Sequence, residues 1–168
     1  MDAAALRELQ APLKSKYRDD PETARTPMHA HADFSDPGVT TTVRTWLGPV
    51  RAGFHPATGG DGSDACSGDM LLQALLACAG VTLRSVATAM GVEIRGARLT
   101  AHGEMDARGT LGVSREAPVG LHDIEVVAEL DTDADEQTLG KLAQLTERYC
   151  VVAQTLGQPP HLVVRRAG

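Results

Sequence analysis

The chain has 168 residues, and its hydrophobic fraction of 42% suffices for the core of one domain but argues against two full domains. Aromatic residues make up only 3%, so surfaces that stack bases or sugar rings are not expected. The formal net charge of −6 opposes phosphate backbones, and lysine and arginine are scattered along the chain. Nucleic acid is therefore not an expected partner.

The first predicted element is a helix over residues 3–17. Helix-forming residues dominate this segment, and apolar residues recur on one helical face at Leu6, Leu9, Leu13 and Tyr17. Charged residues around a proline follow, which indicates a linker. The N-terminus shows neither a basic leader nor an apolar export segment, so we expect a cytoplasmic protein. These features predict an N-terminal helix and linker over residues 1–24 and one domain over residues 25–168.

The next segments predict strands and then a long helix. Residues 28–55 contain threonine and valine runs broken by turn residues, which predicts two or three strands. A glycine-rich loop leads to residues 69–90, which are apolar on nearly every side and end at Gly91. Ser67 or Asp69 could cap this helix. Its polar interruptions favour a buried helix over a membrane-spanning one, so no membrane contact is expected.

The remaining chain predicts two strands, a helix and a final strand. Apolar residues alternate over residues 92–104 and 124–130, which is typical of strands. Acidic N-cap candidates over residues 131–136 precede a helix that runs into Cys150, and residues 161–165 form a short strand. The order of elements predicts an α+β fold with a mostly antiparallel sheet.

Three cysteines are the candidates for chemistry: Cys66, Cys78 and Cys150. An odd number in a reducing compartment disfavours a disulfide framework and leaves catalysis, metal binding or packing. Reduction of a peroxide needs a thiolate and a second thiol that turns the sulfenic acid into a disulfide. Because cysteine on an apolar helix is more often a packing residue, both interpretations stay open for Cys78 and Cys150.

Two segments of the sequence resemble the OsmC-like family, which includes the organic hydroperoxide resistance proteins. Residues 67–78 are similar to the family's acidic residue, apolar helix and peroxidatic cysteine, and residues 145–152 are similar to its second-cysteine motif. The order and spacing of the two motifs suit that family. The resemblance extends from roughly Thr40 to Arg165, so the N-terminal helix lies outside it.

The resemblance implies an intertwined homodimer in which mostly antiparallel sheets wrap two long central helices. A helix that is apolar on every side also needs cover that one chain of this size hardly provides. The implied activity is thiol-dependent reduction of alkyl or fatty-acid hydroperoxides, with a sulfenic acid on Cys78 and then a disulfide to Cys150. An external dithiol, with a lipoyl-type group as one candidate, would reduce that disulfide. The alternative is a stress-related or ligand-binding protein with little peroxidase activity.

The resemblance further implies an arginine and a glutamate that support the peroxidatic cysteine. Gly68 stands where the hydroperoxide-reducing branch has its glutamate, so Asp69 is the candidate carboxylate, with helix capping as its other role. Arg44 is the candidate arginine, ahead of Arg51. Val151 replaces the proline that usually follows the second cysteine, which would change how that cysteine is presented.

A metal site built on Cys66, His29 and His31 is a weaker alternative. The two histidines would share one face of a strand, but solvated surface histidines are more common. Cys66 fits no zinc-ligand spacing. We therefore predict neither a metal nor a cofactor.

Overall fold

The structure is a computed structural model, and it describes residues 1–157 and 161–166. The longer elements agree with the order expected from the sequence. In chain order they are α1 (Ala3–Asp19), β1 (His31–Asp33), β2 (Thr41–Thr45), β3 (Gly48–Gly53), β4 (Ala65–Cys66), α2 (Ser67–Met90), β5 (Gly96–Met105), α3 (Ala107–Thr110), β6 (Leu121–Asp131), α4 (Glu136–Tyr149), α5 (Val151–Thr155) and β7 (His161–Arg166), with short 3-10 turns at Pro21–Ala24 and Pro56–Thr58.

The chain divides into two compact units. The first unit comprises Met1–Pro27, Leu75–Ala101 and Glu125–Gly168, and the second comprises Met28–Ala74 and His102–Ile124. Helix α2 and strands β5 and β6 each contribute residues to both units. The predicted boundary at residue 24 stays a prediction.

The second unit contains a four-stranded sheet in the order β1, β2, β3, β4. Strands β1, β2 and β3 pair antiparallel, and the β2–β3 connection ends at Gly48, whose φ of 126° favours glycine. Strand β4 pairs parallel with β3, so that Cys66 lies opposite Gly53. The loop that was expected to lead directly into the long helix therefore ends in a short strand at Cys66, which the sequence could not indicate because two residues show no alternation.

The first unit has its apolar core between helices and a sheet. Leu83, Leu130, Leu139 and Leu142 are almost fully buried, and α4 presents the last two from one face. Each fully buried leucine contributes about 1.5–3 kcal/mol of transfer free energy relative to an exposed one. Strands β5, β6 and β7 form the second sheet, in which β6 and β7 run parallel.

Helix α2 begins two residues before the predicted start and ends as expected at Gly91. Gly91 has a φ of 71°, and the next N–H donates to the carbonyl oxygen of Ala87 at 2.9 Å, which closes the last turn. Only one stripe of the helix is buried within the chain, and it comprises Leu75, Ala79, Leu83 and Ala87. By length and composition alone α2 could cross a membrane, a test that core helices of soluble proteins also pass.

The α+β class and the mostly antiparallel sheets are confirmed, with two parallel pairs as a departure. Strand β5 begins at Gly96 and not at residue 92. The intervening Val92 and Ile94 pack against the core cluster, and the N–H of Arg95 donates to the carbonyl oxygen of Asp131 at 2.9 Å. Apolar alternation thus marked a connecting segment as well as a strand.

Candidate functional site

Cys78 and Cys150 lie together in the first unit. Cys78 is half-buried near the middle of α2, and Cys150 is 1% exposed at the junction where α4 ends and α5 begins. Leu75 and Ala79, on either side of Cys78 along α2, line the same crevice as Cys150, and both cysteines are free thiols. The structure therefore brings together the two residues that the sequence motifs singled out.

Several donors surround the sulfur atom of Cys78. Burial raises the pKa of this thiol, but hydrogen bonds from the N–H of Val152, the thiol of Cys150, the N–H of Val151 and the hydroxyl of Thr82 lower it. The net result is a pKa below the ordinary value of 9.0. Because the thiolate is the nucleophile, these donors favour the reactive form of Cys78.

The environment of Cys150 raises the pKa of its thiol. Burial raises the pKa of its thiol, the N–H groups of Ala153 and Val152 lower it, and the neighbouring Cys78 raises it again. The net pKa of Cys150 is above the ordinary value. Interacting thiols with such opposite shifts titrate as a pair, in which Cys78 loses its proton at a lower pH than Cys150.

Asp69, the candidate carboxylate, lies in the second unit. It is an exposed residue in the first turn of α2, where its charge suits the positive end of the helix dipole. The expected N-cap role of Ser67 or Asp69 is wrong, because α2 begins at Ser67 and both residues lie inside the helix. The catalytic role of Asp69 stays a prediction.

Arg44, the candidate arginine, is paired in the same unit. Its guanidinium lies 2.9 Å from a carboxylate oxygen of Asp33, and its side chain is 72% exposed. Arg51, the second candidate, is paired with Asp64, which raises the pKa of Arg51. Each arginine thus already has a carboxylate partner, and a role for Arg44 beside Cys78 stays a prediction.

Cys66 lines a separate cavity of about 610 Å³ in the second unit. The cavity is lined mainly by apolar side chains, namely Phe54, Leu71, Leu72, Met105, Val119 and Leu121. Its volume lies in the range of small-molecule pockets. Sequence patterns do not predict this cavity, because its lining comes from strands, loops and α2 that are far apart along the chain.

The weaker metal alternative finds little geometric support. His29 precedes β1 and His31 begins it, and both are exposed. A different group, Glu104, His122 and Asp123, has ligand atoms within 4.8 Å of one another. Both of its carboxylate residues are exposed, and the imidazole Nδ1 of His122 lies 2.8 Å from a carboxylate oxygen of Asp123, so a surface hydrogen bond between neighbouring residues explains this contact.

A family model agrees with the placement of the two cysteines. The model for OsmC-like protein matches residues 60–165, which is more than half of the chain. The chain belongs to the OsmC-like family. Both cysteine segments of this OsmC-like protein fall within the match, whereas α1, β1, β2 and β3 precede it. No curated protein matches the sequence.

Solved structures share the fold of this OsmC-like protein. An organic hydroperoxide resistance protein from Elizabethkingia anophelis is 16% identical with a TM-score of 0.67, over 85% of this chain and 99% of that one. An OsmC-like protein from Mycoplasma pneumoniae is 15% identical with a TM-score of 0.66, over 84% and 95%. An organic hydroperoxide resistance protein OsmC from Legionella pneumophila is 14% identical with a TM-score of 0.62, over 86% and 100%. At these identities the likeness establishes the OsmC-like fold.

The sequence did not identify the donors around Cys78. Thr82 follows Cys78 by four residues on a predicted helix, so helical spacing could have indicated it. The N–H groups of Val151 and Val152 carry no side-chain signal. They could be found only once the turn at Cys150 was known.

Proposed function

We propose that this OsmC-like protein reduces organic hydroperoxides to alcohols through Cys78 and Cys150. The observation that carries the proposal is the proximity of Cys150 to the turn of α2 that bears Cys78, together with the lowered pKa of Cys78 and the raised pKa of Cys150. A packing role alone would require neither the pairing nor the polar donors. The family membership and the fold support a function in peroxide-related stress.

In the first step the thiolate of Cys78 attacks the terminal oxygen of the hydroperoxide. A sulfur–oxygen bond forms as the oxygen–oxygen bond breaks, so the sulfur loses two electrons and the peroxide gains them. The leaving alkoxide takes up a proton and departs as an alcohol. Cys78 is then a sulfenic acid.

In the second step the thiol of Cys150 attacks the sulfenic sulfur of Cys78. A disulfide forms, and the thiol proton leaves with the sulfenic hydroxyl as water. An external dithiol, with a lipoyl-type group as one candidate, then exchanges with the disulfide and restores both thiols. The proposed steps involve no cofactor.

The surroundings of Cys150 favour an apolar substrate. Leu75, Ala79, Val126 and Ala153 are apolar neighbours of Cys150 around a crevice of about 10 Å³, so a substrate would lie against these side chains and not inside the crevice. Alkyl or fatty-acid hydroperoxides would therefore be better substrates than hydrogen peroxide, because they gain from contact with apolar side chains. Asp69 and Arg44 are proposed as supporting residues.

We further propose that the protein functions as a cytoplasmic homodimer. Helix α2 exposes apolar residues outside its buried stripe, namely Ala77 and Val81, and Val81 is 74% exposed. An apolar helix face of this kind is stable in water only when another surface covers it. The three free thiols suit a reducing compartment.

Thiol counting tests the proposed reaction. Reduced protein is titrated with cumene hydroperoxide, tert-butyl hydroperoxide and hydrogen peroxide, and the remaining thiols are measured. We expect the wild type to lose two thiols, Cys78→Ser to lose none, and Cys150→Ser to accumulate a sulfenic acid that dimedone traps. Cys66→Ser is the matched control and should behave as the wild type. Retention of all thiols in the wild type would refute the reaction, and faster oxidation by hydrogen peroxide would refute the substrate class.

One observation favours a second function, that of a ligand-binding protein with little peroxidase activity. The cavity of about 610 Å³ lies within the second unit, to which neither Cys78 nor Cys150 belongs. Thiol counting separates the two functions. A binding protein would keep all its thiols under peroxide, whereas a peroxidase would lose two of them.

A further inference from the structure

The cavity of about 610 Å³ beside Cys66 lies wholly within the second unit. The parallel pairing of β4 with β3 sets Cys66 opposite Gly53, and both residues line the cavity. On another side Leu72 of α2 packs close to Gly103 of β5, where a Cβ atom would lie 3.7 Å from a methyl carbon of Leu72. Regular elements therefore form much of the wall, as in a binding site that exists before its ligand arrives.

The missing side chain at Gly68 leaves part of this space open. A Cβ atom at this position would lie 3.6 Å from the sulfur atom of Cys66 and 3.9 Å from two methyl carbons of Leu121, which is ordinary van der Waals contact. The φ of Gly68 is not positive, and the residue lies in the first turn of α2, so the backbone does not require glycine there. The effect of this glycine is to keep volume beside the thiol.

The polar groups of the lining disfavour an anion. Among the residues that the structure describes, no lysine or arginine lines the cavity, whereas Asp69 brings a carboxylate to it. His55 also lines the cavity, and its Nδ1 accepts a hydrogen bond from the N–H of Ala57 at 3.1 Å, so the neutral imidazole carries its proton on Nε2. A ligand hydroxyl can accept a hydrogen bond from His55 or donate one to Asp69, but an anion would meet a like charge and no cation.

We propose that this cavity binds an uncharged, largely apolar small molecule that carries a hydroxyl group. The apolar body of the ligand would lie against the apolar side chains of the lining, which gain from removal of their surface from water. The hydroxyl would lie at His55 and Asp69, which are exposed and therefore border the solvent. The inference rests on the cavity that favours the second function above, and it does not depend on peroxide reduction by Cys78 and Cys150.

The measurement is isothermal titration calorimetry of the reduced protein with 1-octanol and with octanoate, two probes of equal chain length. We expect 1-octanol to bind and octanoate to bind at least about tenfold more weakly, because its carboxylate would approach Asp69 without a cationic partner. Iodoacetamide labelling with peptide mass spectrometry locates the site, and 1-octanol should slow alkylation of Cys66 at least about threefold. Equal or tighter binding of octanoate, or an unchanged alkylation rate of Cys66, would overturn the inference.

Two pairs of matched variants test the cavity itself. Gly68→Leu fills the space beside Cys66 and should weaken binding of 1-octanol about tenfold or more. Gly140→Leu is its control, because Gly140 is an exposed helix residue at which a Cβ would meet nothing within 4 Å. Val119→Lys adds a cation to the lining and should strengthen binding of octanoate, whereas Val113→Lys, at an exposed position outside the lining, should not.

Wild-type affinities for both probes in Gly68→Leu and Val119→Lys would overturn the inference. Should Gly68→Leu fail to fold by circular dichroism, Val119→Lys carries the test, because Val119 is 66% exposed and a surface substitution preserves the fold. Thiol counting keeps the proposed reaction separate. Binding of 1-octanol by a wild type that keeps its thiols under peroxide would contradict only that reaction, whereas loss of two thiols without binding of 1-octanol would contradict only the inference.

Discussion

Cys78 and Cys150 have different surroundings, and the difference predicts their reactivity. Cys78 is half-buried with a lowered pKa, whereas Cys150 is almost fully buried with a raised pKa. Hydrogen-bond donors outweigh burial at Cys78, and burial outweighs the donors at Cys150. The interaction between the two thiols strengthens both shifts, because it favours loss of the proton from Cys78 over loss from Cys150.

Limited alkylation should therefore label Cys78 before Cys150. The thiolate fraction of each residue falls as the pH falls through its own pKa, so lowering the pH should suppress labelling of Cys150 first and of Cys78 last. The check is iodoacetamide labelling over a pH series with peptide mass mapping, and unfolded protein provides the control in which the two rates converge. Labelling of Cys150 ahead of Cys78 at any pH would contradict the assigned roles.

At the scale of the elements, helix α4 determines the position of Cys150, which follows its last residue. Its N-terminus is capped by Asp135, whose carboxylate accepts a hydrogen bond from the N–H of Thr138 at 2.8 Å. Leu139 and Leu142 then fix one face of α4 in the core, and Cys150 follows the last turn. The cap and the buried face therefore determine where the second thiol lies.

Asp135→Asn should reduce the pH dependence of the stability of the fold and leave α4 intact. Hydrogen bonds from Thr138 lower the pKa of Asp135 below its ordinary value of 3.8. A carboxyl with a lowered pKa stabilises the fold above that ordinary value, and the contribution is lost as the pH falls through the folded-state value. Asparagine caps equally well without titrating. Thermal unfolding between neutral and acidic pH should show a smaller loss of Tm in the variant, and an identical loss would contradict the role of the cap.

Sequence patterns predicted the long elements well and the short ones poorly. The apolar periodicity of α2 and α4 and the alternation of β6 arise from burial of one face, which the order of residues records directly. Strand β4 and helix α5 are set by pairing and by the turn at Cys150, which are not local properties of the sequence. The pairing of Cys78 with Cys150 came from the family resemblance, because position on apolar helices alone favoured packing.

For the whole molecule, the uncovered face of α2 predicts a dimer. Val81 is 74% exposed on that face. Val113 is 73% exposed in a turn of the second unit, so substitution of Val113 is a matched control for substitution of Val81. Val81→Glu should shift the protein to monomers in sedimentation or light scattering, because a charge cannot be buried against an apolar helix without a partner. Val113→Glu should leave the dimer intact. A wild type that is already monomeric would contradict the proposed assembly.

The pairing of Cys78 and Cys150 is the central claim, and disulfide mapping tests it most directly. Reduced protein is exposed to an equimolar amount of tert-butyl hydroperoxide, remaining thiols are blocked, and the digested protein is examined by mass spectrometry without reduction. The account predicts one linked peptide pair that joins Cys78 to Cys150 within one chain, with Cys66 blocked as a free thiol. A disulfide that includes Cys66, or three blocked thiols and no linked peptide, would contradict it.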